Sequence, residues 1–371
     1  MGRTFVNRRA LPESPLWEKL AAKRVPLSFD LEITARCNLD CRHCYINLPS
    51  GDRSAKGREL DATAIGRLGA EAASLGVLWC LLTGGEPLLR KDFFEIYTAL
   101  RKKGLLLSVY TNATLVGPEH VRFFRKYPPR DIEVTVYGAT ERTYERVTRV
   151  AGSFAAFRRG LDLLLGGGIK VRLKAMALRS NADEMDAIAE FCRARTKDYF
   201  RFDPFLHYRF DRDPARNTEI EAERLTPAEI AALEKGDEER FRAMERNCAQ
   251  LVIPGLSESN CRHLFRCDAG KRNFVVGDDG TFRLCASLVH PACLYDLKKG
   301  SLREAWTDFV PAVLDKKSDR REYLDKCARC PIANLCLWCP AHAYLETGEL
   351  DAYVDKFCQI AHAREKILKK V

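Results

Sequence analysis

Between residues 28 and 206 six short strand-like runs alternate with five longer stretches that have helical spacing. The strand runs fall at 28–34, 77–83, 105–111, 132–137, 170–177 and 200–206. Helical stretches lie between or after them at 62–75, 93–103, 118–126, 153–166 and 182–195. Gly117-Pro118 and Asn181 read as helix starts, and Gly76, Gly104 and Gly166 to Gly168 as stops. Most strand runs are nearly continuous in apolar residues, the pattern of parallel strands buried on both faces. Successive β-then-α units require a parallel sheet with right-handed crossovers, closed or partly closed into a barrel. Ligand chemistry in such a sheet belongs at the C-terminal ends of its strands.

Past residue 207 the pattern stops. Residues 209–223 are dense in charge and read as a surface linker or lid, and a single helix is expected from Thr226-Pro227 to about Met244. Residues 248–358 are loop-rich and hold ten of the fifteen cysteines. Within them 274–276 and 281–284 flank Gly277-Asp278-Asp279-Gly280, a hairpin signature. A short helix near 302–309 and a terminal helix over 354–370 complete the reading. The expected divisions are an N-terminal extension (1–27), an α/β barrel (28–206), a linker or helical bridge (207–247) and a cysteine-rich domain (248–371).

With 371 residues the chain can bury a large core, so its cysteines are not needed as disulfide staples. The N-terminal residues contain no apolar run of signal-peptide length, and the longest apolar run, 77–82, is far too short to span a bilayer. A reducing, cytoplasmic setting is expected, without a membrane partner, and there clustered cysteines are ligands. The formal charge is +10, but acids and bases are interspersed and no nucleic-acid module is visible, which disfavours that class of partner.

Directly after the first strand run comes CNLDCRHC, placing Cys37, Cys41 and Cys44 on one loop. Three thiolates can hold three irons of a [4Fe–4S] cluster and leave the fourth open to another ligand. The second strand run ends in TGGEP, with Gly84, Gly85 and Glu86, and the third in Thr111-Asn112. A zinc or structural cluster with a distant fourth ligand is the competing reading of the loop alone.

In combination these motifs resemble the radical S-adenosylmethionine (SAM) enzymes over roughly residues 27–206, with His43 in the aromatic place of the family's cysteine loop. The resemblance implies a partial (β/α)6 barrel, a cluster on Cys37, Cys41 and Cys44, and SAM chelated by its open iron. It also implies that Gly84, Gly85 and Glu86 meet the methionine amino group, Thr111 or Asn112 the ribose, and Thr135 or Arg149 the carboxylate. His43 would lie beside the adenine.

The later cysteines resemble the SPASM extension of peptide-modifying radical SAM enzymes, except that two residues, not three, precede Cys339. That resemblance implies one auxiliary [4Fe–4S] cluster on Cys261, Cys267, Cys285 and Cys339, and a second on Cys327, Cys330, Cys336 and Cys358. A pair of zinc sites is the alternative. With three clusters the formal charge falls to about +5.

The implied activity is hydrogen abstraction from a peptide or protein, giving oxidation, a thioether or a carbon–carbon crosslink. A flavodoxin- or ferredoxin-type reductant is a required partner. Residues 1–27 are too few for the leader-binding module many such enzymes carry, so a separate recognition protein or direct substrate binding is expected. An anaerobic sulfatase-maturase-like enzyme and a small-molecule dehydrogenase are alternatives; Ala286 stands where sulfatase maturases place an aspartate base. An iron–sulfur electron-transfer or scaffold protein is the alternative from another class. Lys174, Asp203 and His207, at or near the last two strands, are candidate catalytic residues, and Cys248 and Cys293 are candidate hydrogen donors.

Overall fold

The computed structural model describes residues 19–20, 23–251 and 262–369. Cys261 lies outside the described residues, and of Cys248 only the helical backbone is described.

Six strands follow one another in parallel: β1 (Ser28–Glu32), β2 (Trp79–Thr83), β3 (Leu106–Thr111), β4 (Asp131–Val136), β5 (Val171–Met176) and β6 (Arg201–Asp203). Helices return the chain after each of the first five, including Ala62–Ser74 before β2 and Met185–Arg193 before β6. Asp61 begins the first of these by accepting the Ala64 N–H at 2.7 Å. The sheet curves around one cavity without closing, since β1 and β6 do not pair.

The strands are not apolar on both sides, as the sequence suggested; they alternate. Phe29, Leu31, Cys80, Leu82, Val109, Val134 and Val136 form the core against the helices. Asp30, Glu32, Glu133, Lys174 and Arg201 occupy the intervening positions. Charge is tolerated there because it is paired: Glu133, 3% exposed, meets Lys174 at 2.7 Å and Arg201 at 2.8 Å.

The hairpin of the cysteine-rich region is part of the same sheet. β7 (Asn273–Val276) pairs in parallel with β1, and β8 (Thr281–Arg283) and β9 (Tyr295–Asp296) extend the sheet antiparallel beyond it. Phe29, Phe274 and Phe282, all fully buried, stack across β1, β7 and β8 with successive ring centroids 5.2 Å apart. Beside them Arg283 pairs with Glu32 at 2.5 Å. The nine-stranded sheet thus runs across the division expected at residue 248.

The charged segment after residue 207 folds as helix α1 (Pro214–Glu223), capped by Asp213. The single helix expected beyond it is two, α2 (Pro227–Gly236) and α3 (Glu238–Leu251). Asp237 separates them because its carboxylate accepts the Arg240 N–H at 3.0 Å and starts the second. Arg224 pairs with Glu346 in helix α4 (Pro340–Thr347), and Glu234 pairs with Arg364 at 2.7 Å in α5 (Asp355–Leu368). No described helix is long and apolar enough to cross a membrane.

Candidate active site

The end of β2 and the start of the cysteine loop are pressed together. The Gly85 N–H donates to the Thr34 carbonyl at 2.7 Å and the Glu86 N–H to the Arg36 carbonyl at 2.9 Å. A Cβ at Gly84, where φ is +138°, would lie 2.1 Å from the Thr34 carbonyl oxygen; one at Gly85 would lie 2.3 Å from that of Arg36. Both glycines are therefore required by the backbone approach itself, and both also line the cavity.

Glu86 has a different place from the one expected. Its carboxylate is fully buried and accepts from the Leu88 N–H (3.0 Å), the Thr111 hydroxyl (2.8 Å) and the Asn112 N–H (2.8 Å). Burial pushes its pKa up to about 7 against those three bonds. It ties β2 to β3 and does not line the cavity, whereas Gly84 and Gly85 do.

Cys37, Cys41 and Cys44 all border one cavity of about 390 Å³. The Leu39 N–H and the Asn112 side-chain amide donate toward the Cys37 sulfur at 3.4 and 3.8 Å. Burial, reinforced by Glu86, pushes the Cys37 thiol up to about 12, and burial raises Cys41 and Cys44 as well. Thiols in such a site become thiolates only beside a cationic core, so converging sulfurs with N–H donors suit an iron–sulfur group.

The other cavity-lining residues from the sequence reading are His43, Thr111, Asn112, Thr135, Lys174, Asp203 and His207. His43 leans on Tyr137 with ring centroids 5.2 Å apart, and its buried Nδ1 has no hydrogen-bond partner. Lys174 Nζ lies 4.2 Å from the centroid of Tyr110; burial lowers its pKa and Glu133 opposes that. His207 donates from Nδ1 to the Tyr208 carbonyl at 3.1 Å, which leaves the lone pair on Nε2. Burial and His342 push its pKa down to about 3.

Arg149 and Cys293 are elsewhere. Arg149 sits at a helix end with φ +57°, donates to the Asp40 carbonyl, and is held by Glu219 at 2.5 Å. It does not line the cavity, so it is not placed to meet a carboxylate there. Cys293 is fully buried in the core, and burial raises its thiol to about 11; it does not border the cavity either.

The later cysteines gather in two sets. Cys327, Cys330, Cys336 and Cys358 line one small cavity of about 60 Å³, where the Trp338 N–H donates to the Cys336 sulfur at 3.4 Å. Cys285 is pushed up to about 12 by burial and then by Cys339, with Cys267 adding to it, which places those three together. No described cysteine is in a disulfide. Zinc needs its ligands within about 2.3 Å of one ion. Among the described residues no three His, Cys, Asp or Glu are close enough to hold a single ion.

Two residues that the sequence reading missed join these parts. Ser287, two positions after Cys285, and His342, three after Cys339, line the main cavity. The His342 N–H donates to the Cys339 sulfur at 3.4 Å, and its ring stacks on His207 at 5.5 Å. Proline after Cys339 marks a helix start, and a histidine in that first turn was the available signal.

A parallel α/β sheet with three thiols bordering its cavity fits the resemblance drawn from the sequence. Residues 31–192 match the Radical SAM superfamily, and the chain carries that family's domain, which implies a [4Fe–4S] cluster and SAM. Its relatives include an AdoMet-dependent heme synthase of Methanosarcina barkeri, 25% identical over 349 residues that cover 89% of this chain and 95% of that protein. A PqqA peptide cyclase of Methylocella silvestris is 24% identical over 92% of this chain and 90% of its own length. In fold the chain is similar to Streptococcus suis SuiB bound to precursor peptide SuiA, with a TM-score of 0.67, 16% identity, and coverage of 96% and 84%.

Proposed function

We propose that the chain is a radical SAM oxidoreductase acting on a peptide or protein, forming an oxidised residue, a thioether or a carbon–carbon crosslink in ribosomal peptide maturation. The observation that carries this reading is the shared cavity. Cys37, Cys41 and Cys44 border it on one side, and Ser287 and His342, beside Cys285 and Cys339, border it on another. A substrate carbon between them lies next to both an open site and an electron acceptor. The relatives named for peptide cyclisation and precursor-peptide binding support the substrate class.

Cys37, Cys41 and Cys44 would hold the SAM-cleaving cluster. Cys267, Cys285 and Cys339, with Cys261, would hold one auxiliary cluster, and Cys327, Cys330, Cys336 and Cys358 the other. When bound and reduced, the first cluster supplies the electron that splits SAM into methionine and a 5′-deoxyadenosyl radical. His43 and Tyr137 form an aromatic wall for the adenine. Thr111 already donates its hydroxyl proton to Glu86, so toward a ribose it acts as an acceptor. Asn112 is engaged with Asn38, Thr114 and Cys37, and shapes the loop instead. The Gly84 and Gly85 backbone borders the place for the amino group, and Thr135 that for the carboxylate. Lys174, Asp203 and His207 face the substrate side; His207 is neutral at pH 7 and accepts hydrogen bonds. The four expected divisions remain our organisation of the chain, with the hairpin joining the barrel sheet. The enzyme would work in the cytoplasm with a flavodoxin- or ferredoxin-type reductant, and would bind its substrate directly or through a separate leader-recognition protein.

Anaerobic reconstitution with iron and sulfide, followed by reduction in the presence of SAM, tests this reading. About twelve irons per chain and formation of 5′-deoxyadenosine are expected. About four irons would confine the assignment to the barrel, and absence of 5′-deoxyadenosine would overturn it. The heme synthase relative, matched over most of both chains, favours a second reading in which the substrate is a heme-type macrocycle. Turnover of an iron porphyrin, seen in its visible absorbance, with no turnover of a precursor peptide would select it.

A further inference from the structure

The charged segment after residue 207 holds the cysteine loop by its carbonyl oxygens. Arg209, whose side chain is 4% exposed, donates from Nη1 to the carbonyls of Cys44 (3.3 Å) and Asn47 (3.2 Å) and to Asn47 Oδ1 (3.0 Å). Arg216 donates from Nη2 to the Cys41 carbonyl at 3.2 Å. The Phe210 N–H meets the Tyr45 carbonyl at 3.1 Å, so backbone and side chains of this segment engage the same loop. Two of the three proposed ligand cysteines therefore carry a guanidinium on their own carbonyl groups.

Each guanidinium also pairs with carboxylates that are more exposed than itself. Asp211 pairs with Arg209 at 2.6 Å, and Glu219 and Asp40 pair with Arg216 at 2.8 and 3.1 Å. Those carboxylates are 48%, 33% and 55% exposed, against 4% and 20% for the two arginines. Water and salt screen the exposed carboxylates more than the more buried arginines, so each arginine keeps positive charge beside the loop that its partners only partly offset.

We propose that Arg209 and Arg216 raise the reduction potential of the [4Fe–4S] cluster held by Cys37, Cys41 and Cys44, by placing two partly shielded positive charges against its ligand residues. This rests on the cluster assignment above. A one-electron reduction adds negative charge, which nearby cations stabilise, so their removal lowers the potential. They are positioning residues, because they act through the loop and do not line the cavity.

The test is an anaerobic redox titration of the reconstituted full chain, following the EPR signal that changes when SAM is added. Arg216→Gln and Arg209→Gln should each lower the ratio of reduced to oxidised cluster at a fixed solution potential. A tenfold fall in the double variant corresponds to about 59 mV for one electron. Arg→Lys variants keep the charge and should titrate close to the parent. Asp211→Asn removes the opposing charge and should move the ratio the other way, and it leaves the buried arginine in place if Arg209→Gln fails to take up iron. Unchanged potentials at full iron content would overturn the proposal. So would lysine variants that shift as far as glutamine ones, or an Asp211→Asn shift in the same direction as Arg216→Gln. A parent chain with no SAM-responsive signal would instead remove the cluster assignment itself.

Discussion

The two best-formed cysteine groups of the molecule are built to opposite plans. Cys37, Cys41 and Cys44 come from eight consecutive residues and open onto a cavity of about 390 Å³. Cys327, Cys330, Cys336 and Cys358 span 32 residues and enclose about 60 Å³. Three ligands on a roomy cavity leave an iron for a second molecule; four around a small one leave none. On the function we propose, the first plan would serve bond-making chemistry and the second electron storage and passage. Ser287 and His342, close in the chain to Cys285 and Cys339, line the larger cavity, so under the proposed reading a third cysteine group lies nearer to it than the Cys327 group.

Breaking each group separately should separate the functions. Cys41→Ala is expected to abolish 5′-deoxyadenosine formation, measured by chromatography, while about two thirds of the iron remains. Cys330→Ala should leave much of that cleavage intact and suppress formation of the modified substrate, seen by mass spectrometry. If it stopped cleavage as completely as Cys41→Ala, the division between the two plans would be wrong.

Two further changes sharpen how the regions are joined. Phe274→Ala removes the middle ring of the Phe29, Phe274 and Phe282 stack and should cost about 3–5 kcal/mol in chemical denaturation. Independent unfolding of the cysteine-rich region in the parent chain would contradict a shared sheet. The smallest effect concerns Asp30, whose pKa is pushed up to about 6 by burial and by Glu32, with Arg283 opposing. Because the folded value lies above the ordinary carboxylate value, the contribution of Asp30 to stability is greatest at low pH and is lost as pH rises through about 6. Asp30→Asn should therefore raise the melting temperature above pH 7 and leave it unchanged below pH 4. An equal effect at both pH values would assign the change to packing instead.

Much of the barrel was legible because βα alternation is local: each strand and helix announces itself within about ten residues. The polar lining was not, since Asp30, Glu133 and Lys174 interrupt runs that otherwise read as buried strands, and their pairing partners are far away in the chain. TGGEP was read as one unit, whereas Gly84 and Gly85 line the cavity and Glu86 is turned to the neighbouring strand. Its hydrogen bonds to Thr111 and Asn112 cross from one strand to the next, which linear spacing does not encode. Arg149 shows the same limit: the partner that draws it from the cavity, Glu219, lies 70 positions later.

By itself, then, the sequence determined the order of strands, the three-thiol loop and the spacing of the later cysteines, all consequences of short-range chain geometry. Only the tertiary structure decided that β7 joins the barrel sheet beside β1, that His342 reaches its cavity, and that Arg209 and Arg216 clasp the loop. Those contacts join residues up to about 300 positions apart, and what selects them is burial of apolar rings and pairing of charges in three dimensions.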